Sequence, residues 1–250
     1  MPARAAHVPM ADMDGQQRAL VDAFHILARH DLGARVAGHI TLRVGDGFLT
    51  HRFGLGFEEI TEADLVACHF DLGPRGPAAP VNPTMHIHAQ IYLARPDVMA
   101  IAHTHGPAVV ALSATGADFV ACSQMAGIFH DDIGSFDERE MIVLTPQDGA
   151  QMARALGSRS AMILKNHGSL VVAGSLQELV LRTVVLEEAA DIQLRAMAAG
   201  GAHGLGAAAA AQVKRFVLSP ALMQHYWDYE IRRLGRTHQQ TGEPAHDRVR

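Results

Sequence analysis

The chain has 250 residues, 48% of them hydrophobic, and a formal charge of −5. That is ample apolar content for a globular core, and length alone allows one domain or two. The mildly acidic balance and the lack of any Lys/Arg cluster exclude a nucleic-acid footprint, and no apolar run approaches the roughly 18 residues a membrane helix needs.

The N-terminal "MPARAAHVPMADMDGQQ" lacks a signal-peptide apolar core, so a cytoplasmic chain is expected. Residues 1–14 and 239–250 are polar and unpatterned and are expected to be flexible tails around one domain over 15–238. "QQRALVDAFHILARHDLG" has apolar residues at 20, 23, 24 and 27, a helical face closed by Gly33. "GHITLRVGDGFLT" alternates through Ile40, Leu42 and Val44 about a Gly-Asp-Gly turn and predicts a hairpin. "TMHIHAQIYLAR" predicts a helix halted before Pro96, and "DVMAIAHTH" a strand. "DGAQMARALG" predicts a short helix, and "SAMILKNHGSLVVAG" two strands around Asn-His-Gly-Ser. The longest predicted helix starts at Ser175 and Glu178 as a capping box and ends at Gly200-Gly201. The Gly/Ala stretch "GGAHGLGAAAAAQ" predicts a loop leading into a helix. A last helix follows, with Ser219 as cap and Pro220 at its first position. Strands clustered between helices predict an α/β sheet sandwiched between helical layers. Cys68 and Cys122 have no motif spacing and read as small apolar residues in a reducing compartment, with a disulfide between them left open.

Histidine is the compositional outlier, with 16 copies against 3 tyrosines. His103 and His105 end an apolar run at Gly106-Pro107. In an extended strand, residues i and i+2 point the same way, so both imidazoles share a face near a loop. His167, at the tip between two apolar strands, supplies a third. Three neutral imidazoles are a donor set that leaves a position open on a metal ion.

With these histidines in place, "MHIHAQIYLARPDVMAIAHTHGPAVVALSATG" and "ILKNHGSLVVAGSLQELVLRTVVLEEAA" resemble the class II aldolase/adducin family. "GHITLR" and "FGLGFEEITEADLVACHFDL" extend the resemblance over roughly residues 15–235. It implies a three-layer α/β/α fold with a mainly antiparallel sheet. It also implies one divalent ion per subunit on His103, His105 and His167, and a homotetramer with sites at subunit interfaces. The ion would be Zn²⁺ or Mn²⁺, with Fe²⁺ as an alternative.

The chain departs from the family's sugar-phosphate aldolases where those use a glutamate as acid/base, because Thr84 stands there. A threonine hydroxyl cannot take a proton from a sugar carbon near neutral pH. The family's anion-binding Asn and Ser become His39 and Thr41, and its Ser-Gly loop becomes "LTHRFGLGF", with His51 and Arg52. "FLTHR" and "IHAQIYLARPDV" are instead similar to the family's decarboxylases of hydroxylated aromatic or pyridine dicarboxylates. That resemblance makes Arg52 a candidate clamp for a substrate carboxylate, an exposed arginine of no special role being the competing reading. On one helix, Thr84, His88 and Tyr92 would share a face, with His88 the preferred proton donor. The resemblance makes His130 a second candidate, at a position where the family approaches a neighbouring subunit's site, and His86 points elsewhere on the helix. Val184, Val185, Leu186, Trp227 and Tyr229 are expected to leave apolar surface for subunit contacts. The predicted function is that of a metal-dependent lyase, a decarboxylase of a hydroxylated aromatic or heteroaromatic (di)carboxylate. The alternatives are a sugar-phosphate aldolase, epimerase or dehydratase, a non-haem iron oxygenase, and a non-catalytic adducin-like interaction domain.

Overall fold

The computed structural model describes residues 10–33, 35–73, 79–137 and 142–241. Seven helices and seven strands follow in chain order: α1 (Met10–Arg29), β1 (His39–Val44), β2 (Gly47–His51), β3 (Leu65–His69), α2 (His86–Ala94), β4 (Ala100–Thr104), α3 (Pro107–Ala114), β5 (Ile133–Phe136), α4 (Pro146–Leu156), β6 (Ala161–Leu164), β7 (Gly168–Ala173), α5 (Leu176–Ala198), α6 (Ala207–Val217) and α7 (Pro220–Thr241). The strands form one sheet in the order β3-β2-β1-β4-β7-β6-β5. Every pairing is antiparallel except β5 with β6. This is the expected α/β/α sandwich.

Strand alternation divides the interior into two cores. Ile40 and Leu42 of β1, with Ala100 and Ala102 of β4, face a large cluster built on α1, α3, α5 and α7. Ile101 of β4, with Leu170 and Val172 of β7, faces a smaller cluster closed by α2 and α4. His39 and Thr41 point toward α2, because side chains alternate faces along a strand. The register sets His39 directly opposite His103 and His103 opposite Leu170.

The turns follow their residues. Gly45 takes a φ of +59° in the tight β1–β2 connection. At the start of α4, Thr145 Oγ1 accepts the Asp148 amide (3.3 Å) and the Asp148 carboxylate accepts the Thr145 amide (3.0 Å), a reciprocal cap. Ser175 accepts the Glu178 amide at the start of α5. The Glu178 carboxylate, however, accepts the Gly174 amide and the Arg182 guanidinium, so the second half of the expected capping box falls one residue earlier. The Ser219 hydroxyl donates to the Phe216 carbonyl, because that helix end is close enough to take it.

Three further expectations are corrected. Thr84 lies in a 3₁₀ turn, Pro83–Met85, rather than in α2, since Asn82 and Pro83 tighten the entry. Residues 10–14 belong to α1 and 239–241 to α7, while most of the expected tails lies outside the described residues. Val184, Val185, Leu186 and Trp227 are buried within the chain, and of the apolar residues expected at the surface only Tyr229 is exposed. Cys68 and Cys122 are both free thiols. Among the described residues no helix is long and apolar enough to cross a membrane.

Candidate metal centre

His103 sits one residue before the end of β4 and is buried. Its Nδ1 lies 2.9 Å from the Ser169 carbonyl. A carbonyl only accepts, so Nδ1 carries the proton and Nε2 is left with a bare lone pair. His105 follows just past the strand, and its Nδ1 is buried with no hydrogen-bond partner among the described residues. His167 comes in on the β6–β7 turn, where Asn166 adopts a φ of +55° and donates its amide to Ser113 Oγ. Gly168 permits the approach, because a Cβ there would collide with the Thr104 carbonyl. The three ring centroids are 4.6–4.9 Å apart, and one nitrogen from each lies within 4.8 Å of the others.

Burial lowers the pKa of all three rings. It holds His103 well below its ordinary value, helped by the neighbouring His39, His105 and His167. Burial takes His105 down to about 4, with His167 adding to the effect, and also lowers His167. All three are therefore neutral near pH 7, as metal ligands must be. An orphaned buried nitrogen, a bare Nε2 fixed by its other ring atom, and a neutral donor set together fit a divalent ion.

The turn after His105 is anchored from a distance. Glu187 of α5 accepts the Ala108 and Val109 amides at 2.6 and 3.0 Å, capping α3, and burial raises its pKa. A side chain at Gly106 would collide with this carboxylate.

Behind His103 runs a continuous chain of hydrogen bonds. His39 Nε2 meets Thr84 Oγ1 at 2.9 Å and His39 Nδ1 meets His88 Nε2 at 2.9 Å. Thr41 Oγ1 meets His88 Nδ1 and the Tyr92 hydroxyl, each at 2.8 Å. Burial, reinforced by neighbouring imidazoles, holds His39 and His88 neutral, and burial raises the Tyr92 pKa. The chain therefore does bring Thr84, His88, Tyr92, His39 and Thr41 together. Only Thr84 of the five lines the cavity that opens on the three histidines. Both nitrogens of His88 are engaged and its side chain is fully buried, so it does not present itself to a ligand there.

That cavity is about 270 Å³. Besides the imidazoles, Asn82 and Thr84, its described walls are apolar, including Phe53, Ile87, Val143 and Leu164. A larger, more open groove over His86 and Gln90 contains none of the three histidines.

The other expected substrate contacts lie elsewhere. Arg52 is half exposed and paired with Asp64 at 2.7 Å; its neighbour Phe53 lines the cavity instead. His51 is buried in the larger core against Phe24 and Phe57, with ring centroids 4.8 and 6.1 Å away. Neither of its nitrogens has a hydrogen-bond partner among the described residues. His130 is half-buried beside Asp131 and away from this chain's cavity. Sequence reasoning missed Asn82, although Asn-Pro ahead of a helix is a recognisable cap signal.

Three imidazoles, two at a strand end and one on the neighbouring turn, open on a cavity within an α/β/α fold and are a donor set that could hold a divalent ion. The chain belongs to the class II aldolase and adducin N-terminal domain family, whose pattern matches residues 18–194. It is 29% identical over 214 residues to a 3,4-dihydroxyphthalate decarboxylase of Arthrobacter keyseri, covering 75% of this chain and 81% of that enzyme. Over 212 residues it is 33% identical to a 4-hydroxy-3-prenylphenylpyruvate oxygenase/4-hydroxy-3-prenylbenzoate synthase of Streptomyces roseochromogenus, covering 80% and 76%. Its fold is similar to that of an L-fuculose 1-phosphate aldolase from Glaciozyma antarctica, with a TM-score of 0.80 and 25% identity over 98% of this chain and 97% of that one.

Proposed function

We propose that the chain is a metal-dependent carbon–carbon lyase that decarboxylates a hydroxylated aromatic or heteroaromatic acid. The cavity wall carries this reading. Beside the three imidazoles stand apolar side chains and two neutral polar ones, with no carboxylate among the described lining residues. Proton abstraction from a sugar carbon needs a general base titrating near the working pH, and Thr84 offers none. Departure of CO₂ needs a place for the charge left behind rather than a strong base. His103, His105 and His167 would hold one divalent ion, Zn²⁺, Mn²⁺ or Fe²⁺, whose Lewis acidity supplies that place. Phe53, Ile87 and Val143 would sandwich a flat ring and keep water from its carboxylate. Thr84, held by Asn82 and His39, would face a ring substituent. A second carboxylate would find Arg52 only if that side chain left Asp64.

Decarboxylase relatives at comparable identity support this reading. We also propose a homotetramer in which His130 or Tyr229 of a neighbouring copy closes the cavity; a metal-loaded monomer in light scattering would contradict it. The test of function is a screen of hydroxylated aromatic acids for CO₂ release, with metal content measured on the same sample. Cleavage of a sugar phosphate with no CO₂ from any aromatic acid would restore the aldolase reading. The oxygenase relative supports a second reading, which oxygen uptake in the same assay would reveal.

A further inference from the structure

The buried hydrogen-bond chain behind the cavity can be drawn with its protons running in either of two directions, and one residue decides between them. Asn82 is buried, and its amide cannot be turned over. Its Oδ1 accepts the Thr84 backbone amide at 2.9 Å, and its Nδ2 donates to the Ala37 carbonyl at 3.4 Å. The same Oδ1 lies 2.7 Å from Thr84 Oγ1. An amide oxygen only accepts, so the hydroxyl proton of Thr84 must lie on that line. Thr84 Oγ1 then has only lone pairs to offer His39, and His39 must carry its proton on Nε2. Its bare Nδ1 accepts from His88 Nε2–H, and the bare Nδ1 of His88 accepts from the Thr41 hydroxyl. Thr41 Oγ1 in turn accepts from Tyr92, whose hydroxyl also reaches the Thr41 carbonyl at 3.1 Å. Five neutral donors thus supply one proton to each of the five links from Tyr92 to Asn82, with the Tyr92 proton shared between Thr41 Oγ1 and the nearby Thr41 and Met99 carbonyls.

We infer that Asn82 sets the polarity of this chain and so makes Thr84 Oγ1 a dedicated hydrogen-bond acceptor at the cavity wall, selecting a substrate that carries a hydroxyl donor beside its metal-binding groups. Thr84 has given its one proton inward and received one from His39, which leaves one lone pair for a ligand. A methyl ether or a bare ring edge placed there leaves that oxygen unsatisfied. Asn82, His39 and His88 are positioning residues in this scheme. The substrate arm rests on the reading of the cavity as an aromatic-acid site; the polarity of the chain does not.

The test is long-range ¹H–¹⁵N correlation on protein with ¹⁵N-labelled histidine, which reports which ring nitrogen bears the proton. His39 and His88 are expected as Nε2–H tautomers, in the wild type and in Asn82→Asp, which keeps the acceptor. Asn82→Leu frees the Thr84 hydroxyl to donate to His39 and is expected to mix or reverse both tautomers. An Nδ1–H tautomer on either ring of the wild type, or an unchanged pattern in Asn82→Leu, overturns the inference. The wild-type spectrum does this without any variant needing to fold. For the substrate arm, calorimetry on the metal-loaded protein compares 2,3-dihydroxybenzoate with 2-hydroxy-3-methoxybenzoate. The free hydroxyl is expected to bind about tenfold tighter, a preference lost in Thr84→Val. The same preference surviving in Thr84→Val overturns the substrate arm. Binding of neither probe, with the tautomers as assigned, refutes the aromatic-acid reading while the polarity stands.

Discussion

His51→Leu is expected to stabilise the protein, by an amount that grows as the solution is acidified. The wild-type imidazole is 1% exposed, and among the described residues both its nitrogens lack a hydrogen-bond partner between Phe24 and Phe57. A buried polar group left unsatisfied costs roughly 1–3 kcal/mol, which a leucine of similar bulk would not incur. Acid adds a second cost. Burial lowers the pKa of His51 from 6.5 to about 4, with Asp64 opposing weakly. Between those values the unfolded chain binds a proton that the folded chain refuses, so stability falls as pH drops from 6.5 toward 4. At 1.36 kcal/mol per unit, this one residue accounts for a loss of about 3 kcal/mol at the lower end. The assay is urea unfolding of both proteins at pH 7.5, 5.5 and 4.5. The variant should be more stable at pH 7.5 by about 1–3 kcal/mol, and the gap should widen at each acid step. A destabilised variant, or a gap independent of pH, would refute the argument. Turnover should survive the change, because His51 faces the core opposite the cavity; its loss would return His51 to the substrate.

Gly168→Ala forces a Cβ against the Thr104 carbonyl and should displace His167, so bound metal measured after dialysis should fall severalfold while helix content is retained. Arg52→Ala should lower turnover less than about threefold, since an exposed ion pair such as that with Asp64 is worth little; a loss of two orders of magnitude would show the arginine swinging to the substrate. Asp132→Ala should cost about 1–3 kcal/mol in denaturant unfolding, because Asp132 accepts from Ser160, Arg182 and Lys214 and its loss leaves the buried Arg182 guanidinium with Glu178 as its one remaining acidic partner among the described residues.

The sheet and its helices were legible because the relevant residues announce themselves locally. Ile40 and Leu42 alternate, Gly45 marks the hairpin, and Ser175 marks the entry to α5. The clustered histidines were legible for a similar reason, since His-x-His at a strand end and Asn-His-Gly at a turn each carry a local constraint. Their meeting is a matter of register between β4 and β7, which the family resemblance supplied and spacing did not. Arg52 and His51 show where local reading stops. Adjacent residues of an extended segment point to opposite faces, and which face opens on the cavity depends on Phe24 and Asp64, far away in the chain. Asn82 was passed over because its importance lies in an amide orientation fixed by the carbonyl of Ala37, 45 positions earlier.

The two faces of the sheet are covered unequally, and that inequality assigns them different tolerances. The α1, α3, α5 and α7 side carries a deep core, whereas among the described helices the site side is roofed by α2 and α4. The polar chain through Thr84, His39 and His88 lies under this thinner roof, with both histidine side chains fully buried. Amides of α2 and α4 should therefore exchange with deuterium before those of α5. Mutational drift would then be absorbed unevenly. The thick side can repack without touching the cavity, while each change in the roof reshapes what the cavity admits.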